Sequence, residues 1–150
     1  MSQTNQQQAY LRAYDRCAAR LYRFALYVSG DAGQAEAAVT EAFGEGLRRS
    51  ISPAQEDRFL EEMLALVWHA CARFEQLEGP AYREHLRRAA PGTIPAALAE
   101  RLSAMPRFRR AALALAALFG FDAAALRRIL PACQPGRIAA AAVSLLRSSA

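Results

Sequence analysis

The sequence contains no lysine, and all 19 of its basic residues are arginine. Cysteine is scarce too: Cys17, Cys71 and Cys133 are odd in number, widely spaced and outside any CxxC or paired Cys/His arrangement. Neither a disulfide framework nor a zinc site is supported, and a reducing compartment fits best. His69 and His85 have no carboxylate or thiol at ligand spacing along the chain, so no metal is expected. There is no glycine-rich phosphate loop, no nucleophile elbow and no metal-binding histidine pair. Glu61 and Glu62 are adjacent, about 100° apart on a helix, and cannot act as a paired acid and base. No catalysis and no cofactor are expected. Long apolar runs are missing as well. The longest, residues 111–119, is far too short for a bilayer, and the start MSQTNQQQAY is polar, so a cytoplasmic protein without membrane insertion is expected.

Hydrophobic residues make up 53% of the chain, enough for a packed core, although alanine supplies much of that share and buries little area per residue. The net charge of +5 is unevenly spread: residues 1–76 hold 8 Arg against 10 Asp plus Glu, and residues 77–150 hold 11 against 4. A basic half beside a mildly acidic one points to nucleic acid for the first and a protein partner for the second.

Helical periodicity accounts for most of the chain. Residues 6–29 place Leu11, Tyr14, Ala18, Leu21, Tyr22, Ala25 and Leu26 on one stripe and Arg12, Asp15, Arg16, Arg20 and Arg23 on the other side. Gly30 is expected to end this helix, and Asp31 to cap the next. In that second helix Ala35, Val39, Ala42, Phe43 and Leu47 face inward while Glu36, Glu41 and Glu45 form an acidic outer face. A third helix, residues 56–76, buries Phe59, Met63, Leu64, Val67, Trp68 and Cys71. The stretch EGPAYREHLRRAAPGT, residues 78–93, carries two Gly/Pro breaks and reads as a linker.

A helix over residues 94–104 opens the second half. An Ala/Leu helix runs from Arg107 to the interruption at Phe119, Gly120 and Phe121, and Asp122 then stands as an N-cap. Leu126, Ile129 and Leu130 share the face of a short helix stopped by Pro131, and a last helix opens at Pro135 and Gly136 with Ile138, Ala142 and Leu145 recurring at helical spacing. Two short helices joined by a tight turn describe a DNA-reading unit. The fold class expected is therefore all-α. Two small helical domains, residues 1–77 and 94–150, are joined by the linker 78–93, and the second contains a helix-turn-helix. Arg127, Arg128 and Arg137 flank its alanine-rich outer face and are the candidate phosphate contacts.

This plan resembles an RNA polymerase sigma factor of the extracytoplasmic-function type over nearly the whole chain. The family's first domain carries Gly-Asp, then Ala-Glu-Asp, Val-Gln-Glu and Phe on one helix. Here GDAGQAEAAVTEAF keeps Gly30, Asp31, Ala35, Glu36, Val39, Glu41 and Phe43 in register. The second domain's Leu-Pro, Arg, Leu-rich helix and Gly are followed by Met105, Pro106, Arg110, Leu113, Leu115 and Gly120, then by Leu126, Ile129, Leu130, Gly136 and Ile138 in the helix-turn-helix. The resemblance implies a protein that binds core RNA polymerase through Asp31, Glu36 and Glu41 and directs it to promoter DNA, with an anti-sigma factor as a further partner. Ala139, Ala140 and Ala141 stand where polar base readers are usual. The alternatives are a degenerate relative acting through contacts with polymerase or an anti-sigma partner, without specific DNA binding, and an unrelated helical interaction module that matches the register by chance.

Overall fold

The computed structural model describes residues 2–90, 92 and 94–130, and over these it is all-helical, with no strand among the described residues. Helix α1 (Ser2–Ser29) is the longest, and α2 (Ala32–Arg48) and α3 (Glu56–Cys71) pack against it and against each other. Of the stripe expected on α1, Leu21, Ala25 and Leu26 are buried and Tyr14, Ala18 and Tyr22 half-buried, while Phe24 and Val28, outside that stripe, have no exposed surface. Near its start Tyr10 packs on Phe43 of α2 and Phe59 of α3, with ring centroids 5.5 and 5.6 Å apart. Its hydroxyl donates to the Phe43 carbonyl at 2.7 Å. Gly46 makes the close approach of α2 possible, because a Cβ there would run into the Tyr10 hydroxyl and stand 3.0 Å from Met63 Sδ. Leu11, expected inside, is 44% exposed.

The stretch expected to be a linker holds a helix, α4 (Gly79–Ala89). Gly79 and Pro80 read as a break, yet proline in a first turn lacks only an amide hydrogen that has no helical partner there, so it starts a helix. Tyr82 and Leu86, one turn apart, are buried and pin α4 to α1 and α2. Helix α5 (Ala96–Ser103) packs on α4. Helix α6 (Arg107–Leu113) continues into a π-helical turn, Ala114–Leu118, whose wider spacing appears in the bond from the Phe119 amide to the Ala114 carbonyl at 3.0 Å.

Gly120 reverses the chain at φ +73°, and Asp122 caps α7 (Ala123–Ile129) by accepting from the Ala125 amide at 2.8 Å. The cap falls where the sequence placed it. Helix α6 lies on α1 and α7 lies on α3, so buried residues from Tyr10 to Leu130 form one continuous hydrophobic cluster. Trp68 of α3 meets Phe108 of α6 edge to face at 5.8 Å, as part of that packing rather than as an open platform. The second helix of the expected helix-turn-helix, with Arg137, lies outside the described residues. No helix among the described residues is long and apolar enough to cross a membrane.

Candidate functional site

The short segment between α1 and α2 is where the two halves of the chain meet. Gly30 takes φ +75°, which turns the chain sharply at the end of α1, and Tyr82 of α4 lies directly against it. The Tyr82 hydroxyl donates to the Tyr27 carbonyl at 2.5 Å. Behind the ring stands Arg110 of α6, fully buried, its guanidinium carbon 3.9 Å from the ring centroid. Its Nε donates to the carbonyls of Leu102 and Met105 at 2.9 and 3.0 Å, Nη1 to Val28 at 3.0 Å and Nη2 to Leu77 at 2.6 Å. Burial lowers the Arg110 pKa, and carbonyl dipoles rather than a carboxylate receive the charge. Arg107 acts similarly on the end of α3, donating from Nη1 to the carbonyls of Cys71 at 2.8 Å and Phe74 at 2.5 Å. Two arginines counted toward a basic surface thus connect parts of the chain, Arg110 fully buried and Arg107 half-buried. The sequence signal for Arg110 is its place on the apolar stripe, three and four residues before Leu113 and Ala114.

Asp31 is likewise drawn inward. Its Oδ2 accepts from the Gln34 amide at 2.9 Å, and Oδ1 lies 2.9 Å from Nδ1 of His85 on α4. The hydrogen bond with His85, then that from the Gln34 amide, hold the Asp31 carboxyl below the usual aspartate range. A depressed folded pKa gives stability that is fully present above the unfolded pKa near 4 and is lost as pH falls through the folded value. Asp31→Ala is therefore expected to cost about 0.5–2 kcal/mol at neutral pH, the range for a lost helix cap, with the difference from wild type shrinking below pH 4. Thermal melts of both proteins from pH 7 to pH 3 measure this, and a gap that persists undiminished at pH 3 would refute it.

On the outer face of α2, Glu36 is exposed and enters no ion pair among the described residues, whereas Glu41 pairs with Arg73 beyond α3. Glu45 accepts from Arg48 and Arg49, which hold its carboxyl down at about 2. Glu36 and Glu41 are exposed and Glu45 is half-buried, but Glu36 stands about 140° and 180° around the helix from the other two, and the charges of Glu41 and Glu45 are answered locally.

The basic candidates are similarly divided. Arg127 is exposed without an ion pair among the described residues, but Arg128 donates from Nε and Nη2 to Oε1 of Glu61 at 2.8 and 2.6 Å, because α7 rests on α3. Asp31 with His85 and Arg128 with Glu61 are separated by 54 and 67 residues, so spacing along the chain gives no hint of either pair. Cys17 and Cys71 are free and buried, and burial pushes the Cys71 thiol up to about 12, which leaves it unreactive. Among the described residues no three His, Cys, Asp or Glu side chains gather to hold a metal ion. Comparison with known protein families, with curated proteins and with solved structures finds no match.

Proposed function

We propose that this protein is a sigma-factor-like transcription protein that binds core RNA polymerase and brings it to promoters. The observation that carries the reading is the register of Gly30, Asp31, Ala35, Glu36, Val39, Glu41 and Phe43 with the family motif. The geometry of α2 supports it: Ala35 and Val39 are buried, Phe43 is half-buried, and Glu36 and Glu41 point outward from the same helix. In this reading α2 docks on a basic partner surface through Glu36 and Glu41, and Asp31 positions the helix rather than touching the partner. In the same reading the basic second half of the chain meets promoter DNA, and the protein works in the cytoplasm.

Exposed charge pairs are worth about 0.2–1 kcal/mol each, so the face acts as a group and single substitutions have small effects. Glu36→Lys combined with Glu41→Lys reverses two exposed charges that stand about 140° apart around α2 and is expected to weaken capture of core polymerase about tenfold or more, while the far-ultraviolet circular dichroism stays that of wild type. Undiminished capture by the folded double variant would sink the assignment. The second reading, action through protein contacts without specific DNA binding, is favoured by the pairing of Arg128 with Glu61, which engages one of the three expected phosphate-binding arginines.

A further inference from the structure

The surface of α1 carries four arginines that the reading above does not use. Arg12, Arg16, Arg20 and Arg23 follow one another at spacings of four, four and three residues. At 100° and 1.5 Å per residue they occupy an arc of about 80° over a length of about 16 Å. Arg12, Arg16 and Arg23 are exposed and Arg20 is half-exposed. Only one acidic residue, Asp15, lies on the whole of α1.

Most arginines elsewhere on the surface are answered by glutamate: Arg48 and Arg49 by Glu45, Arg73 by Glu41, Arg87 and Arg88 by Glu84, Arg128 by Glu61. On α1 the pattern fails. Arg16 has a loose contact with Glu56 at 3.8 Å, and Arg12, Arg20 and Arg23 form no ion pair among the described residues. Like charges three or four residues apart destabilise a helix by about 0.2–0.5 kcal/mol per pair. A merely solvated helix face relieves that repulsion with interleaved acids.

We propose that this stripe is a docking face for the phosphate backbone of a nucleic acid, bound without regard to sequence. Duplex DNA carries about one charge per 1.7 Å, or about ten over the length of the stripe, and the planar guanidinium fork matches phosphate oxygens. The inference stands apart from the polymerase reading, since it needs neither α2 nor the helix-turn-helix.

The test is fluorescence anisotropy of the full chain with labelled duplex and single-stranded oligonucleotides of arbitrary sequence, titrated at several salt concentrations. Four phosphate contacts imply that the stripe contributes a log-log salt slope of about −3.6 for duplex and about −2.8 for a single strand. The duplex figure corresponds to about 150-fold weaker binding on going from 50 to 200 mM salt. Replacing all four with glutamine (Arg12→Gln, Arg16→Gln, Arg20→Gln, Arg23→Gln) should flatten the slope by about that amount and lower affinity at 50 mM salt about thirtyfold or more. A control with the same net charge, Arg83→Gln, Arg87→Gln, Arg88→Gln and Arg101→Gln on α4 and α5, should lose less than about a third of the slope. Equal losses in the two variants, or an unchanged slope in the stripe variant, overturn the proposal. So does displacement of the oligonucleotide by polyglutamate at equal charge concentration, which would make the face a site for an acidic protein. Circular dichroism checks that each variant is folded.

Discussion

Arg110→Met should lower the stability of the protein by about 4 kcal/mol or more, the largest effect expected of any single substitution. The reasoning rests on what stays behind. The carbonyls of Val28, Leu77, Leu102 and Met105 come from three separate parts of the chain, the last two at and just beyond the end of α5, and all accept from this one side chain. A buried polar group left without its partner costs about 1–3 kcal/mol, and Val28 and Leu102 are held in fully buried bonds. Exchanging a whole buried ion pair for apolar residues can be neutral, but here only the donor is removable, since the acceptors belong to the backbone. Domains are stable by about 5–15 kcal/mol in total, so the loss threatens folding itself. At this chain length it corresponds to a fall in Tm of about 10 °C or more. Arg110→Lys should fall in between, because an ammonium offers three donors and no plane to stack on Tyr82. Urea unfolding followed by circular dichroism measures both variants, and wild-type stability in Arg110→Met would refute the account.

Gly30→Ala is the second large effect, expected at about 2–5 kcal/mol. Two costs combine. The residue sits at φ +75°, where a side chain costs about 1–2 kcal/mol, and a Cβ there would overlap the Tyr82 ring, with Cε2 only 2.7 Å away. Overpacking of this kind costs about 1–3 kcal/mol. It would also push Tyr82 from its bond to the Tyr27 carbonyl and from its stack on Arg110. The ring overlap makes a second statement testable. Tyr82→Ala removes the obstacle, so the double variant should be less destabilised than the sum of the two singles by about 1 kcal/mol. Strict additivity would show that backbone strain alone carries the effect of Gly30→Ala.

The contrast between Gly30 and Arg110 shows how much the sequence discloses. Gly30 is legible: it ends an amphipathic run just before an N-cap aspartate, and the left-handed turn observed is what that pattern requires. The cap at Asp122 is legible for the same reason, since both depend on residues within a turn of one another. Arg110 is not legible as a clasp, because its partners lie up to 82 residues away and a guanidinium reads as surface unless the apolar stripe around it is followed closely. Helix α4 was hidden by Gly79 and Pro80, whose meaning depends on whether a buried tyrosine follows to anchor the turn they begin.

The candidate surfaces divide along the same line. The arginine stripe of α1 follows from the 3.6-residue period alone, because a helix fixes which residues share a side, whereas Glu36 and Glu41 of α2 stand about 140° apart and have only their exposure in common. Which of those charges remain unanswered is another matter. Arg73 reaches Glu41, His85 reaches Asp31, and Glu61 takes Arg128 through packing between distant helices. By itself the sequence determined that the described chain is helical, that Gly30 and Gly120 turn it ahead of the caps Asp31 and Asp122, and on which side of α1 the arginines stand, since these are local consequences of period, caps and glycine. The tertiary structure alone decided that Arg110 is internal, that Arg107, half-buried, closes the end of α3, and that α6 and α7 rest on α1 and α3. It also decided which charges are free, because ion pairing and burial depend on side chains brought together by packing, and no spacing along the chain encodes those distances.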